Sequence, residues 1–342
     1  MRDNGPTIKE LATELGISAA TVSRALAGNA RISTETRERV QTAARKAAYV
    51  PNRAARALVT GTGFGFVGLV MSDPGYGREH SIIGEFVQGL GQEFSAHGID
   101  LFLAFVPQDQ SEMQVISNIV SSRRADGLVL GRTTQDDPRI SYLVEQRFPF
   151  VAHGRTEREA VPFDWIDTDG TAAFGEGFRM LYALGHRRFG LVSIEEPMTF
   201  RQHRIDGVRA AMQGSDASVV VTASPRYDAQ RRDAAVRAML TAPDRPTAIL
   251  CLFDSLALSV LDIAADLGLS VPGDLSVLGF DNIAPAAHAR PALSTFDADT
   301  MASARCLAKM LLKRLENPGA APTHRLIQPK LVLRHSHGPA PD

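Results

Sequence analysis

After residue 63 the chain repeats one pattern that limits its fold more than any other feature: a short, continuously apolar run followed by a helical stretch. FGFVGLV (64–70) leads to a helix through Ile82, Ile83, Phe86, Leu90 and Phe94. IDLFLAF (99–105) leads to a helix over 110–123, GLVLG (127–131) to one over 138–146, and PFVAH (149–153) closes the series. The rhythm restarts after residue 165, with helices over 171–184, 200–213, 229–240 and 254–267. These alternate with FGLVSI (189–194), SVVVTA (218–223), TAILCL (247–252) and LSVLGFD (275–281). Continuous rather than alternating apolar strands predict parallel sheets covered on both faces. Two successive doubly wound units account for the pattern most simply. A last helix from about Asp299 to Leu315 and the run LIQPKLVLR (326–334) complete the sheets.

At 342 residues the chain exceeds one ordinary core, so two or three folding units are expected. The net charge of −1 hides an asymmetry: residues 1–60 hold ten Lys and Arg against five Asp and Glu, the remainder 27 against 33. A basic head on an acidic body suits a polyanionic partner for the head alone. Cys251 and Cys306, without CxxC spacing, are read as two buried thiols in a reducing compartment, with neither disulfide framework nor zinc site. MRDNGPTIKE has no apolar leader pattern and no run reaches about 18 apolar residues, so a soluble cytoplasmic protein with no membrane partner is expected.

The basic head reads as three short helices, an extended step and a fourth short helix, a layout for holding DNA. Thr7 and Glu10 form a capping box before the stripe Ile8, Leu11, Ala12 and Leu15, and Gly16 ends that helix. Ser18 caps a second helix that turns Val22, Ala25 and Leu26 inward and Ala19, Ala20, Thr21, Ser23 and Arg24 outward. Two helices joined by a glycine turn, the second small and polar outside, match a helix-turn-helix whose recognition helix enters the major groove. A third helix starts near Ser33 and packs through Val40, Ala43, Ala44 and Ala47. Pro51 breaks it, and Asn52 can cap a two-turn helix carrying Arg53, Ala55 and Arg56, with Leu58 at its end. Alone, so short a helix is marginal in water. On DNA it can fold with Leu58 wedged between base steps in the minor groove; an ordinary linker helix is the alternative.

With TIKELATELGIS, TVSRAL, RISTETRERV and YVPNRAARAL in order, the chain resembles the LacI (lactose/galactose repressor) family of bacterial transcription regulators. LGHRRFGLV, RIDGVRAAM, the run from Arg245 to Asn282 and RPALSTFDAD extend the resemblance over nearly the whole chain. It implies an α/β protein with an all-α helix-turn-helix head and a periplasmic-binding-protein-like core of two doubly wound parallel-sheet subdomains. The boundaries expected are 1–49 for the head and 50–61 for a hinge helix and linker. Residues 62–160 and 293–323 would form one core subdomain, and 161–292 and 324–342 the other, the chain crossing three times, near 160, 292 and 323. Its implied partners are a pseudo-palindromic operator and a sugar effector, bound by a homodimer without cofactor or metal. Thr7, Ser18, Ala19, Ala20, Thr21, Ser23, Arg24, Asn29, Arg31, Tyr49, Asn52, Arg53, Ala55 and Leu58 are the candidate DNA-contacting residues. The short side chains of Ala19 and Ala20 can touch thymine methyls but cannot form bidentate hydrogen bonds.

In open α/β sheets, ligands bind beyond the carboxyl ends of strands. Ser72, Asp73, His153, Arg155, Asp254, Ser255 and Asp281 stand at such ends. Arg204 aligns with the family arginine that grips sugar hydroxyls, and Tyr227 with a large aromatic that can stack on a sugar ring. Phe253 stands where many relatives place a polar residue, so no single contact list transfers. Asp254 could cap its helix, alone or together with a ligand role, and Asp281 could be a turn residue. His186 is read as structural, and His335 and His337 as solvated. HGR at 153–155 with Asp164-Trp165 resembles α-glucoside regulators. No GxGxxG after a strand, P-loop, HExxH or GxSxG is present, and nothing pairs a nucleophile with a base, so no catalysis is expected. A ligand-responsive repressor of carbohydrate-utilisation genes follows, released by its effector. A corepressor-type or activating regulator answering to a nucleoside-like metabolite is the alternative. The tail HSHGPAPD lacks leucine heptads, which makes a dimer the default over a tetramer.

Overall fold

The computed structural model describes residues 6–26, 29, 31–49, 63, 65–71, 80–107, 109–156 and 162–341, which fall into two compact units, Met1–Gly65 and Phe66–Asp342. Ser72, Asp73 and the residues expected in a hinge, Asn52, Arg53, Ala55 and Leu58, lie outside the described residues.

Among the described residues the head carries three helices: α1 (Ile8–Leu15), α2 (Ala19–Leu26) and α3 (Thr34–Lys46). Thr7 and Glu10 make the expected reciprocal cap, Thr7 Oγ1 accepting from the Glu10 amide at 3.3 Å while Glu10 accepts from the Thr7 amide at 2.7 Å. Gly16 leaves α1 in the left-handed region, φ 67°, which a side chain would resist. Ser18 Oγ accepts from the Thr21 amide at 3.1 Å and so starts α2. Leu11, Val22, Ala25 and Val40 close a small core. Ala19 departs from its expected outward position: it is half-buried against that core, because the first turn of α2 lies over it. Tyr49 also packs on the core, while Ala20, Arg24, Asn29 and Arg31 are exposed.

The larger unit is built on two parallel sheets. Lobe one carries β1 (Phe66–Met71), β2 (Asp100–Phe105), β3 (Gly127–Gly131), β4 (Phe150–His153), β5 (Asp164–Thr168) and β11 (His324–Ile327), in the order β11-β5-β4-β3-β1-β2. Its helices are α4 (His80–Ala96), α5 (Glu112–Ser121), α6 (Pro138–Glu145) and α12 (Thr300–Glu316). Lobe two carries β6 (Arg188–Ile194), β7 (Ser218–Ser224), β8 (Ala248–Cys251) and β9 (Ser276–Leu278), ordered β7-β6-β8-β9. Around it lie α7 (Gly170–Ala183), α8 (Thr199–Met212), α9 (Ala229–Thr241), α10 (Asp254–Asp266) and α11 (Ala284–His288). An antiparallel pair, β10 (Thr295–Asp297) with β12 (Lys330–Val332), packs on lobe two through Phe296 and Leu331.

The three crossings fall later than expected. β5 and β11 pair in parallel and extend the lobe-one sheet, so residues 164–168 and 324–327 belong to lobe one rather than lobe two. The chain therefore changes lobe at Asp169, at 298–299 and at 328–329. Two crossings are tied together: the Asp169 amide donates to the Ile327 carbonyl at 2.8 Å, and Gln328 Nε2 donates to Asp169 Oδ2 at 3.0 Å.

Other expectations also need correction. The inner strands are buried as the apolar runs require, but β2 and β7 are sheet edges, and Leu103, Phe105, Val220 and Val221 are exposed. Cys251 is buried, whereas Cys306 is only half-buried and accepts from Arg325 Nη1 at 3.1 Å. His186 is structural as read, fully buried between Thr247 and Ser276. His337 is not solvated like the exposed His335: it meets Ser294 Oγ at 2.8 Å because the last residues dock on lobe two. Ser336 exchanges backbone and side-chain hydrogen bonds with Val277, on the outer edge of β9. Among the described residues no helix is long and apolar enough to cross a membrane.

Candidate functional site

A cavity of about 240 Å³ opens between the lobes at the carboxyl ends of their strands, where doubly wound sheets place ligands. Lobe one supplies Leu69 to Met71, Ile82, Ile83, Phe86, Glu112, Gly131 to Thr133, Arg139, His153, Gly154, Asp167 and Thr168. Lobe two supplies Phe200, Arg204, Arg226, Phe253, Ser255, Phe280, Asp281 and Ile283. The walls are therefore apolar and aromatic, with a few convergent polar groups.

Arg204 occupies the centre of the lobe-two wall because of its place on α8. Three residues later, on the same helix face, Gly207 lets α7 approach so closely that any Cβ there would strike the Thr171 carbonyl. The Arg204 guanidinium lies 3.7 Å from the Phe280 ring centroid and between 5.1 and 5.6 Å from those of Phe200, Phe253 and Phe174. One terminal nitrogen donates to the Leu252 carbonyl, and the buried Nε has no hydrogen-bond partner among the described residues. Burial lowers its pKa to about 10 against the opposing pull of Asp281 and Asp167, so it is still a cation at neutral pH. An aromatic box with an unspent donor is costly unless something polar comes to meet it.

The acceptors face it from both lobes. Asp281 follows β9 with φ 119°, a backbone conformation that a non-glycine residue adopts only under strain, and Asn282 follows at φ 54°. The turn and the cavity roles expected for Asp281 coincide. Asp167, at the end of β5, is buried, with Arg155 Nε at 3.4 Å and His203 Nδ1 at 3.7 Å. Burial raises its pKa to about 6 despite Arg155. His153, at the end of β4, is pushed down to about 4 by burial and by Arg204, and so presents a neutral ring that can donate and accept. Together these groups suit a small ligand rich in hydroxyls, which needs donors and acceptors at once. Among the described residues no group of three or more His, Cys, Asp or Glu side chains is placed to hold a metal.

Of the effector candidates, the cavity brings together His153, Arg204, Phe253, Ser255 and Asp281. Arg155 stands behind Asp167 and does not line it. Tyr227 lies outside the lining, 38 % exposed, its hydroxyl accepting from Arg132 Nη2 at 2.9 Å. Asp254 fills neither of its expected roles. Phe253 holds the cap position of α10, and the Asp254 carboxylate accepts instead from the Ile283 amide at 2.9 Å and from Thr295 Oγ1 at 2.5 Å. It is fully buried there, stitching α10 to β10 and to the turn after β9. Sequence reasoning missed Asp167, Phe200, Glu112 and Arg139. The strand-end rule would have found Asp167 had β5 been recognised; its polar sequence DWIDT hides it.

The head matches the model of the bacterial regulatory proteins of the lacI family over residues 7–52, and residues 178–337 match that of the periplasmic binding protein-like domain. The chain is 34% identical over 343 residues to the HTH-type transcriptional regulator AglR of Rhizobium meliloti (strain 1021), covering 98% of this chain and 95% of that protein. A solved complex of the transcriptional regulator CelR with cellobiose is 26% identical, with a TM-score of 0.72 over 97% of this chain and 99% of that one. The lac repressor dimer bound to operator and the anti-inducer ONPF shares the fold, with a TM-score of 0.84 at 21% identity over 97% of this chain and 99% of that one.

Proposed function

Because the chain belongs to the lacI family of bacterial regulatory proteins and is a DNA-binding transcriptional regulator, we propose that it represses carbohydrate-utilisation genes and leaves its operator when a sugar fills the inter-lobe cavity. One observation carries the effector class: Arg204, boxed by aromatic rings with an unspent buried donor, faces the carboxylates of Asp281 and Asp167 across an apolar cleft. A pyranose answers both needs, its hydroxyls pairing with the guanidinium fork and the carboxylates while its apolar face meets the rings. The cellobiose bound to CelR favours a glucoside over a nucleoside.

In the head, the exposed Ala20 and Arg24 are proposed to face the major groove with Thr21 and Ser23, and Thr7, Ser18, Asn29 and Arg31 to meet the backbone. Asn52, Arg53, Ala55 and Leu58 are proposed to form the hinge helix, with Leu58 as the minor-groove wedge. Two heads are needed to read a pseudo-palindrome. Exposed apolar side chains on the unpaired edges β2 and β7 support a homodimer.

The test is a thermal-shift panel of mono- and disaccharides, including cellobiose and maltose, with each hit rechecked for its effect on operator binding. A sugar that stabilises the protein and weakens operator binding is expected. Arg204→Ala should raise its Kd at least about tenfold and leave operator binding without sugar unchanged. Stabilisation by nucleosides alone would overturn the effector class, and a sugar that tightens operator binding would overturn release.

A further inference from the structure

We propose that residues 132–137 form a strap by which lobe one clasps lobe two at the edge of the cavity, and that Arg139 is the positioning residue that gives the strap its shape. The functional meaning rests on reading the cavity as the effector site; the clasp itself does not. The Thr133 carbonyl accepts two hydrogen bonds from lobe two, from the Thr199 amide at 2.9 Å and from Thr199 Oγ1 at 3.1 Å. Thr134 bridges Met198 in antiparallel fashion, and Arg132 Nη2 donates to the Tyr227 hydroxyl at 2.9 Å. Thr133 and Thr199 are 2 % and 1 % exposed, so water does not share this contact. The first turn of α8 has no side-chain cap. A carbonyl from the opposite lobe takes that place, and separating the lobes would leave the helix terminus to water.

The strap is shaped from behind. Arg139 donates through Nη2 to the carbonyls of Gly131 and Arg132, at 3.1 and 3.0 Å. The same guanidinium grips both Asp137 oxygens, at 2.8 and 2.6 Å, and reaches Glu112 at 2.5 Å. Asp137 in turn accepts from the Thr134 amide at 3.2 Å. The two peptide groups before Thr133 are thereby held toward lobe one. The Thr134 N–H shares one trans peptide with the Thr133 carbonyl, so fixing it on Asp137 turns that carbonyl the opposite way, toward α8. Gly154 completes the seat: a Cβ there would collide with Thr133 Oγ1, which donates to the Arg155 carbonyl at 3.0 Å. Because Gly131, Arg132, Thr133 and Arg139 also line the cavity, strap and effector share one wall. A ligand that enters or leaves by parting the lobes must first release the clasp.

Hydrogen exchange on the full-length protein without sugar tests this. Thr199→Pro removes both donors to Thr133 at the first position of α8, where proline suits a helix. Strap amides should then exchange about tenfold faster while those of β6 keep their protection. Thr199→Val, which keeps the amide, should give a smaller increase. Arg139→Lys should behave like the proline variant, because an ammonium cannot supply the planar fork. Were lysine to restore wild-type exchange, the positioning role would fall. Unchanged strap exchange in Thr199→Pro, with β6 intact, would overturn the clasp. Stopped-flow fluorescence of Trp165, the single tryptophan, with cellobiose and maltose as probes, adds a kinetic readout. In Thr199→Pro, association and dissociation should both accelerate severalfold, with Kd changing less than either rate; a change in only one of the two rates, or in neither, would count against the strap's part in binding. Failure of both sugars to bind wild-type protein would sink the sugar reading while the exchange result still decides the clasp.

Discussion

The Asp254 carboxyl serves the fold and not the cavity. Its two oxygens join three segments of lobe two, and Gly279 must be a glycine because a Cβ would run into one of them. Burial raises its pKa to about 6 against the hydrogen bonds from Thr295 and Ile283. Between about pH 4 and pH 6 the folded state therefore holds a proton the unfolded chain has lost. This contribution to stability is complete below about pH 4 and disappears as the pH rises through about 6. Asparagine can place its oxygen on the Ile283 amide and its NH2 on Thr295 without ever ionising. Asp254→Asn should thus gain in Tm relative to wild type as the pH rises from about 4.5 to about 7, measured by thermal denaturation at both. A difference that shrinks with rising pH would reverse the assignment. His153 and His203, both lowered to about 4 by burial, act in the opposite sense, since their neutral forms favour folding as the pH rises toward 6.5. The wild-type profile should be correspondingly flat, and the variant steeper.

Among the elements, α7 and α8 cross closely beside the site, and the crossing depends on Gly207 against the Thr171 backbone. Gly207→Val should cost about 1–3 kcal/mol by forcing the helices apart. Effector response should weaken with it, because Arg204 rides on the same face; denaturant unfolding alongside the thermal-shift panel reads both. Which elements the sequence reveals follows from what each must bury. Inner strands such as GLVLG and AILC are apolar throughout and announce themselves. β5 and β11 do not, because DWIDT and HRLI lie toward a sheet edge and carry polar residues. Missing them misplaced the crossings and concealed Asp167. The strand-end rule picks out His153 and Asp281 from sequence and the family resemblance picks out Arg204, and all three line the cavity. It could not separate Asp254 from the ligand groups, since a buried carboxylate at a strand end looks the same in one dimension whichever way it turns. The Arg139 network was beyond reach for a similar reason: Glu112, Asp137 and Gly131 meet it only in the folded lobe.

For the whole molecule, contact between copies is read from the exposed sheet edges, which among the described residues are β2, β7 and β11. Val220 and Val221 on β7, 49 % and 41 % exposed, are unusual for an edge strand left in water. Val221→Asp should shift the protein toward monomers in sedimentation velocity and weaken operator binding in step, since a lone head reads only half a palindrome. A variant that stays dimeric would move the interface elsewhere.

The threefold exchange of chain between lobes has a consequence for engineering. Neither lobe is an uninterrupted stretch of gene: lobe one borrows α12 and β11 from beyond lobe two. Chimaeras made by splicing one lobe onto a foreign half would sever its sheet from the strand that completes it. The natural seam lies at Gly65–Phe66, where the compact units part. A designer wanting a new sensor on this head should transplant the receptor whole.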